Sequence, residues 1–354
     1  MTSRPHGLSQ GALCGLSAAA LFGLSAPLAK LLLPHVGVLP LASLLYLGAG
    51  LGLVAWGLLP RSHAAAHEPA LRRSDVPPLV AIVALGGVVG PILMLVGLAR
   101  VSAVAGALLL NLEGPLTIVL ALLLFGEHLG LRGAIAAVLV FAGAATLAFA
   151  PGELRADPLG VVCLAGACAS WGVDNNLTQR LSLRDPVALA RIKTLGAGVC
   201  SGALALATSA AWPEPAAAAL ALAVGSVCYG ASLVFDTYAL RLLGAAREAA
   251  FFATAPFVGA IAAVPLLGET PRASQVIAAL LMAGGVAVLL RERHAHTHGH
   301  EALEHEHSHV HDAHHQHAHD ESVPTQEPHS HPHRHASLVH DHPHVSDLHH
   351  RHSH

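Results

Sequence analysis

The sequence is poor in charged, aromatic and cysteine residues. Only 12% of its residues are charged and 4% are aromatic, whereas charged residues make up roughly a quarter of an ordinary soluble domain. Its Lys and Arg residues stand beside apolar runs and form no basic stripe, so no nucleic-acid partner is predicted. The five cysteines form no C-x-x-C pair and lie in apolar runs, so we expect buried free thiols. Since no nucleophile and base pair or phosphate loop stands out, the sequence does not predict an enzyme.

Apolar residues, in contrast, make up 53% of the 354 residues. A hydrocarbon core about 30 Å thick needs about 20 apolar residues per helix. Ten runs of about this length, bounded by charge or proline, predict an all-α membrane protein with ten transmembrane helices. Several runs are interrupted by Gly and Pro, among them Pro27, Pro91 and Pro115. The runs lie near residues 9–31, 37–59, 78–99, 102–124, 131–150, 159–177, 187–210, 217–240, 246–267 and 273–291.

The basic residues predict the orientation of these helices. If the N-terminus is inside, thirteen Lys and Arg fall at the inner side of the membrane part and four at the outer side. Cytoplasmic loops carry such an excess of basic residues. We therefore predict a multi-pass protein of a bacterial-type inner (plasma) membrane, with cytoplasmic N- and C-termini. The four outer residues are Lys30, Arg100, Arg155 and Arg272.

An internal repeat divides the membrane part into two halves. Each half holds five predicted helices, an odd number, so the second half must enter the membrane upside down relative to the first. Inverted repeats of this kind build carriers that work by alternating access. The matched stretches are Gly11 to Pro27 with Gly160 to Asn176, where Phe22-Gly23 and Trp171-Gly172 are in register, and residues 98–115 with 239–256.

A short signature follows the matched stretch in each half. Pro115 is followed by Phe125-Gly126-Glu127, and Pro256 is followed by Gly268-Glu269. With ten helices, this pattern resembles the EamA-type drug/metabolite transporter superfamily over residues 9–291. The resemblance implies a ten-helix basket with a central cavity for amino acids, nucleosides, sugars or other metabolites. We expect Glu127 and Glu269 to cap and hold the following turn. The predicted units are a first five-helix repeat at 9–150, a second at 159–291, and a tail at 292–354.

Ionisable residues at membrane depth are costly and by default mark a solute or proton path. Glu113 lies at the middle of its helix, two residues from both Asn111 and Pro115. We interpret Glu113 and Asn111 as solute-binding residues and Glu113 as the carrier of a coupling proton. The alternative is a hydrogen bond or ion pair that fixes two helices.

A second polar group lies on helices six to eight. Asp174 falls in the inner third of its helix, and Lys193 on the next helix is a counter-ion for Asp174 or Glu113. The alternatives are a structural salt bridge, a positive-inside anchor, or, for the aromatic residues, ordinary packing. The other residues predicted to bind or translocate substrate are Trp171, Asn175, Asn176, Tyr229 and Asp236.

The tail contains 23 of the 28 histidines between His294 and His354, many in H-x-H alternation. Apolar residues are too sparse there to form a core, so we predict disorder. Imidazole suits zinc, nickel, cobalt and copper, and without Cys or a fixed pair spacing the segment is predicted to be a weak multivalent chelator. No cofactor is required. The first histidines of this set are His294, His296, His298, His300, His305, His307, His309 and His311.

The sequence as a whole predicts a secondary transporter that moves a small metabolite, an amino acid or similar, by alternating access. One alternative is a divalent-metal exporter that collects its cargo with the tail, and another is a membrane-anchored metal sensor or buffer. Histidine is missing from the predicted mid-membrane positions, which argues against a metal path. Only Cys163, Cys168 and Asp174 offer metal ligands there. The predicted partners are a small solute, the lipid bilayer and divalent metal ions.

Overall fold

The fold is all-helical up to residue 289, and its helical segments form ten rods within the described residues of this computed structural model. The described residues are 5–58, 71–125, 131–149, 158–181, 184–243, 249, 251–289, 294–300, 303–309, 329–335 and 338–344. Seven rods are single helices: α1 (Pro5–Leu32), α2 (Val38–Gly57), α5 (Leu131–Phe149), α6 (Pro158–Arg180), α7 (Pro186–Ala207), α9 (Ala255–Leu267) and α10 (Ala273–Leu289).

Three rods are composite, and each contains a π-helix or a 3₁₀ turn between its two ends. In α3, a 3₁₀ turn (Arg73–Asp75) and a short α-helix (Val76–Ala81) lead into a π-helix (Ile82–Val89) and an α-helix (Gly90–Arg100). In α4, a 3₁₀ turn (Leu110–Leu112) separates Ala103–Leu109 from Glu113–Phe125. In α8, a π-helix (Gly225–Ala231) separates Pro215–Val224 from Ser232–Leu243. Irregular backbone of this kind is tolerated at membrane depth where it is buried in protein or lines a cavity.

Composition explains why the rods face lipid. Seven helices are long and apolar enough to cross a membrane, and α9 and α10 add two shorter apolar helices. Large apolar side chains point outward, such as Leu123 and Ile261, each 72% exposed. The remaining rod, α6, has 23 residues but carries the polar run Asp174–Asn176. The predicted ten-helix membrane fold is thus confirmed, and its least apolar rod is the one with the most candidate site residues.

Local sequence sets several helix ends. Asp185 accepts hydrogen bonds from the N–H groups of Val187 and Ala188 at 2.9 and 3.0 Å, and Pro186 opens α7. Proline suits this position because its missing N–H would have no helical partner. Gly268 ends α9 with φ of 65°, a left-handed conformation that favours glycine. Pro27, in contrast, lies inside α1 without ending it, in agreement with the single helix predicted near residues 9–31.

Two helix crossings are reciprocal, as a two-fold axis between the halves requires. Where α2 crosses α7, a Cβ on Gly50 would lie 2.4 Å from Leu195, and one on Gly198 would lie 2.7 Å from Leu47. Where α5 crosses α10, a Cβ on Gly143 would lie 2.7 Å from the Met282 side chain, and one on Gly285 would lie 2.9 Å from the Val140 side chain. The repeat seen in the sequence is therefore a repeat of packing as well.

The helix ends are grouped by polar contacts. Lys30, near the end of α1, donates to the carbonyls of Leu98 and Val101 at the end of α3. At the start of α3, Asp75 is paired with Arg184, which precedes α7, with Nε–Oδ2 at 2.7 Å. These contacts bring together ends that the predicted topology places on the same side of the membrane. Which side is cytoplasmic remains a prediction.

Four strands follow the helices in the tail. They are β1 (His294–His300), β2 (Leu303–His309), β3 (His329–His335) and β4 (Leu338–His344). β1 pairs antiparallel with β4, and β2 with β3. In these four segments the structure differs from the predicted disorder, because H-x-H alternation has the two-residue period of a strand. His311 lies outside the described residues.

Candidate translocation site

The π-helix of α3 exposes a backbone acceptor at the centre of the bundle. In its pattern the N–H of Gly90 donates to the carbonyl of Leu85. The next donor along the chain would be Pro91, which has no N–H, so the Gly86 carbonyl receives no bond from that residue. Tyr46 Oη, at 3.2 Å, and Trp171 Nε1, at 3.0 Å, donate to the Gly86 carbonyl instead. One freed carbonyl thus joins α2, α3 and α6.

Gly86 also lies directly against a buried carboxylate. Asp174 is 2% exposed, and a Cβ on Gly86 would lie 2.2 Å from its Oδ2. Lys193 of α7 donates to that same oxygen, and Thr178 Oγ1 donates to Oδ1 at 3.3 Å. The predicted pairing of Lys193 with Asp174 is what the structure contains. A buried ion pair of this kind persists only if further hydrogen bonds satisfy its lone pairs.

Glu113 opens the second half of α4 beside this pair. Its Oε1 accepts a hydrogen bond from Asn175 Nδ2 at 2.8 Å, which ties α4 to α6. Glu113 is half-buried, and Asn175 and the adjacent Gly114 are exposed. Apart from its chain neighbours and the backbone of its own helix, no atom of the described residues lies within 4 Å of a Cβ built on Gly114. The Glu113–Asn175 bond therefore lies beside two exposed positions, Asn175 and Gly114, at the level of the helix break.

The break in α4 results from Pro115. Proline cannot donate to the carbonyl of Asn111, four residues earlier, and the backbone there tightens into the 3₁₀ turn Leu110–Leu112. Asn111 is buried, and its Nδ2 donates to the Leu108 carbonyl at 3.0 Å. Its side chain thus bonds a backbone carbonyl in the turn that precedes the break.

A close crossing of α4 and α6 holds the two carboxylates near each other. A Cβ on Gly172 would lie 3.2 Å from the Thr117 backbone, so glycine permits the approach. Asn176 Nδ2 then donates to the Thr117 carbonyl at 3.1 Å and to the Gly172 carbonyl at 2.8 Å. Of the three successive polar residues of α6, Asn176 bonds backbone, Asp174 pairs with lysine and Asn175 bonds Glu113.

A row of aromatic rings leads away from this polar set. The Tyr46 ring lies 5.8 Å from that of Tyr229, and Tyr229 lies 5.7 Å from Phe22 in an edge arrangement. Phe22 in turn lies 5.1 Å from Phe252. The rings connect α2, α8 and α1 across the interface between the halves, and Tyr46 links this row to the polar set through the Gly86 carbonyl.

The predicted site residues divide between two places. Asp174, Lys193, Trp171, Glu113 and Asn175 meet where α3, α4, α6 and α7 come together. Asp236 lies half-buried on α8, about two helical turns beyond Tyr229. The sequence reasoning missed Tyr46 and Gly86. Pro91 was the available signal for Gly86, because a proline in a helix frees an earlier carbonyl.

The signature glutamate of the second half caps a helix of the first half. Glu269 accepts from the N–H groups of Ala103 and Val104 at 2.6 and 3.0 Å, and Gln275 Nε2 donates to Ser102 Oγ at 2.9 Å. We call this contact the Glu269 latch. The expected cap is present, but on α4 instead of the turn that follows Glu269. Pro115 lies in the first turn of the helix Glu113–Phe125, and Pro256 lies in the first turn of α9. Glu127 lies outside the described residues.

The described residues offer no intrahelical metal centre. Among them, no group of three or more His, Cys, Asp or Glu could hold a metal ion. Cys168 Sγ faces the carbonyls of Leu109 and Leu110, at 3.7 and 3.8 Å, while Asp174 is paired with Lys193. Cys163, Cys168 and Cys228 are buried as expected, whereas Cys200 is exposed and Cys14 is intermediate.

Comparison with known proteins gives these helices a family. Residues 9–149 and 158–291 match the EamA-like transporter family, which covers nearly the whole helical part. The chain belongs to the EamA-like transporter family. It is therefore a multi-pass membrane transporter with two EamA units and a small-molecule substrate, and the family is one of transporters, not of enzymes.

Two individual similarities accompany the EamA match. An uncharacterized transporter of Methanothermobacter thermautotrophicus is 29% identical over 290 residues, which cover 77% of this chain and 84% of that protein. A solved crystal structure at 20% identity aligns with a TM-score of 0.59 and covers 79% of this chain and 96% of the other. The second likeness supports the fold alone.

Proposed function

We propose that this EamA-family protein is a secondary transporter that moves an amino acid or a similar small metabolite across the inner membrane by alternating access. The observation that carries the proposal is the polar set of Glu113, Asn175, Asp174 and Lys193, which meets at the break of α4 beside the exposed positions Asn175 and Gly114. Charged groups at membrane depth are costly and mark substrate or proton paths.

The chemistry of the polar set suits a solute with both an amine and a carboxylate. Glu113 is half-buried, and among the described residues its carboxylate accepts a side-chain hydrogen bond from Asn175, so it has capacity for a solute ammonium group. Lys193 is 24% exposed although Asp174 is buried, so its ammonium reaches the space from which a solute carboxylate would approach. The same carboxyl of Glu113 carries the coupling proton.

Alternating access requires a contact between the halves that breaks during the cycle. The Glu269 latch joins the connection between α9 and α10 to the first turn of α4, at the end that the basic residues predict to be outside. In this proposal the latch closes the outer gate. The Lys30 contacts with the end of α3 lie at the same end.

A flux experiment tests this function. The purified full-length protein is reconstituted in proteoliposomes, and exchange of a panel of radiolabelled amino acids is measured for the wild type, Glu113→Gln and Thr254→Val. Thr254 occupies the position of Glu113 in the second half, two residues before its proline. We expect Glu113→Gln to abolish exchange and Thr254→Val to retain it.

A second experiment distinguishes a metabolite from a divalent metal ion as the cargo. Zinc, nickel and cobalt content is measured in cells that express the full-length protein, a truncation after Arg293, and Glu113→Gln. If the full-length protein lowers metal content and both variants do not, the chain exports metal, and the metabolite proposal is rejected. If Thr254→Val and Glu113→Gln lose exchange equally, Glu113 has no role in transport beyond that of its counterpart in the second half.

A further inference from the structure

An irregular helix and a buried carboxylate meet at the centre of the bundle. In the π-helix of α3 the Gly86 carbonyl receives no backbone bond from Pro91, and the Asp174 carboxylate lies directly against Gly86. In secondary transporters, the carbonyls of interrupted helices near the bilayer midplane often coordinate a coupling cation such as Na⁺. The oxygens of Gly86 and Asp174 are therefore of the kind that binds a monovalent cation.

The chain itself supplies donors to these oxygens. The Gly86 carbonyl accepts hydrogen bonds from two aromatic side chains. Lys193 Nζ donates to Asp174 Oδ2, and Thr178 Oγ1 donates to Asp174 Oδ1 at 3.3 Å. Of these donors, Lys193 alone carries a positive charge. Its ammonium therefore stands at the carboxylate oxygen that a free cation would bind.

Lys193 reaches the carboxylate from a partly open side. Its side chain is 24% exposed, whereas that of Asp174 is 2% exposed. Lysine is a compact point charge on a flexible apolar stem, and here the stem runs from partly exposed surface to a buried oxygen. The other carboxylate of the polar set, Glu113, is bonded to Asn175 and leaves this ammonium to Asp174.

The acid and the amine occur together in one half and are both missing from the other. Counted from the matched glycines of the repeat, Ser25 stands at the position of Asp174 and Leu45 at the position of Lys193. A buried carboxylate without a positive partner is costly, so Asp174 requires a cation. Lys193 supplies it covalently.

We propose that Lys193 is a tethered substitute for a coupling metal cation. Its ammonium occupies the monovalent-cation position at Asp174, so transport needs neither Na⁺ nor K⁺ and its coupling is left to the proton. Removing the ammonium and its stem should convert the same position into a site for a free monovalent cation. The cation position follows from the contacts alone, whereas the coupling step rests on the proposed function.

Thermal unfolding of purified full-length variants tests the cation position. Lys193→Ala is measured in chloride salts of Na⁺, propylammonium and the bulky N-methyl-D-glucammonium ion at equal ionic strength. Propylammonium has the size of the side-chain portion that the substitution removes. The matched control is Lys193→Ala with Asp174→Asn, which has the same cavity without the carboxylate charge.

We expect Na⁺ and propylammonium each to raise the Tm of Lys193→Ala by several degrees above its value in N-methyl-D-glucammonium, because a bound ligand stabilises the folded state. The wild type and the double variant should not respond. Purification of folded Lys193→Ala only when Na⁺ or propylammonium is present would be the same result.

Three outcomes would overturn the proposal. One is an equal Tm of Lys193→Ala in all three salts. Another is a response to propylammonium without one to Na⁺, which would identify a packing cavity instead of a metal position. The third is failure of Lys193→Ala to fold in every salt while the double variant folds, because a free cation would then be unable to replace the ammonium.

Flux measurements test the coupling step. In proteoliposomes, the wild type should exchange its solute at the same rate in Na⁺, K⁺ and N-methyl-D-glucammonium buffers. Lys193→Ala should be inactive in N-methyl-D-glucammonium and regain part of its exchange in Na⁺. A wild type that requires Na⁺ would contradict the substitution. If the wild type exchanges no solute in any buffer, the proposed function fails, and the unfolding measurements still decide the cation position.

Discussion

The two halves of the transporter contain the same helix crossing twice, and only one of the two is charged. At the first crossing, α6 meets α4, and a Cβ on Gly172 would lie 3.2 Å from the Thr117 backbone. At the second, α1 meets α9, and a Cβ on Gly23 would lie 3.0 Å from the Val258 side chain. Gly23 and Gly172 are equivalent in the repeat, and each lies against the equivalent residue of the crossing helix, Val258 or Thr117, although the Ala255 carbonyl would come still closer to a Cβ on Gly23, at 2.3 Å.

The side chains around these two glycines differ. Asp174 stands two residues after Gly172, and Ser25 stands two residues after Gly23. Lys193 stands five residues before Gly198, and Leu45 stands five residues before the equivalent Gly50. Ser25 and Leu45 are buried, at 2% and 1% exposed.

The position of Glu113 is taken in the second half by a threonine. This residue, Thr254, donates its hydroxyl to the nearby Phe251 carbonyl at 2.6 Å. The crossing therefore packs well without charge. Since the architecture does not demand Glu113, Asp174 and Lys193, a structural role alone does not account for them.

Breaking the ion pair should have the largest effect on the charged crossing. Lys193→Leu leaves Asp174 buried without a counter-ion, and we expect a loss of about 3–5 kcal/mol in unfolding free energy. Leu45→Met, at the equivalent position, should cost about 1.5 kcal/mol or less. Thermal unfolding of the purified variants measures both.

The double variant separates stability from function. Asp174→Leu with Lys193→Leu makes the charged crossing resemble the apolar one, and it should regain most of the lost stability because no unpaired charge remains. It should still fail to transport. A stable double variant with full transport would show that the pair is structural.

The apolar runs and the repeat were sufficient to predict the ten helices, because the bilayer dictates helix length and the repeat dictates their number in each half. The pairing of Lys193 with Asp174 was also predictable, since a buried carboxylate at membrane depth requires a counter-ion. The role of Gly86 was not, because it depends on which helix packs against α3. The sequence likewise did not predict that Glu269 would cap α4, a helix about 165 residues away in the chain.

Adding a methyl group to Gly86 should give the next largest effect. Its Cβ would lie 2.2 Å from the Asp174 carboxylate, so the carboxylate or the π-helix must shift. We expect Gly86→Ala to cost about 1–3 kcal/mol and to impair transport. Gly86 stands fourteen residues before Arg100, and the residue at the same distance before Arg241 in the second half is Val227. Val227 is 48% exposed. Val227→Ala should have little effect on either measurement, and a cost as large as that of Gly86→Ala would mean that the two crossings are equally sensitive.

Removing the donors to the Gly86 carbonyl should have a smaller effect. Trp171→Phe makes this position match Phe22 in the other half, and Tyr46 still donates. Trp171→Phe with Tyr46→Phe leaves a buried carbonyl without either side-chain donor, at a cost of about 1–3 kcal/mol. We expect each single variant to cost less than half of the double one. Additive single effects would indicate lost packing instead of a shared acceptor.

The smallest effect should come from the Glu269 latch, and it should appear as a shift between states. Glu269→Ala removes the cap from the N–H groups of Ala103 and Val104, at about 0.5–2 kcal/mol. A change of about 1 kcal/mol shifts a two-state equilibrium about five-fold. If the latch closes the outer gate, a thiol at Gly114→Cys becomes more accessible from outside in Glu269→Ala.

The repeat makes an opposite prediction for Glu127→Ala, which should raise accessibility of the same thiol from inside. Glu269→Gln keeps one acceptor oxygen and should shift the labelling less than Glu269→Ala. Membrane-impermeant maleimides applied to the two sides of oriented vesicles measure both directions. If both alanine variants open the same side, the two signature glutamates are not equivalent gates. The two-fold relation would then hold for the packing of the helices but not for their movement.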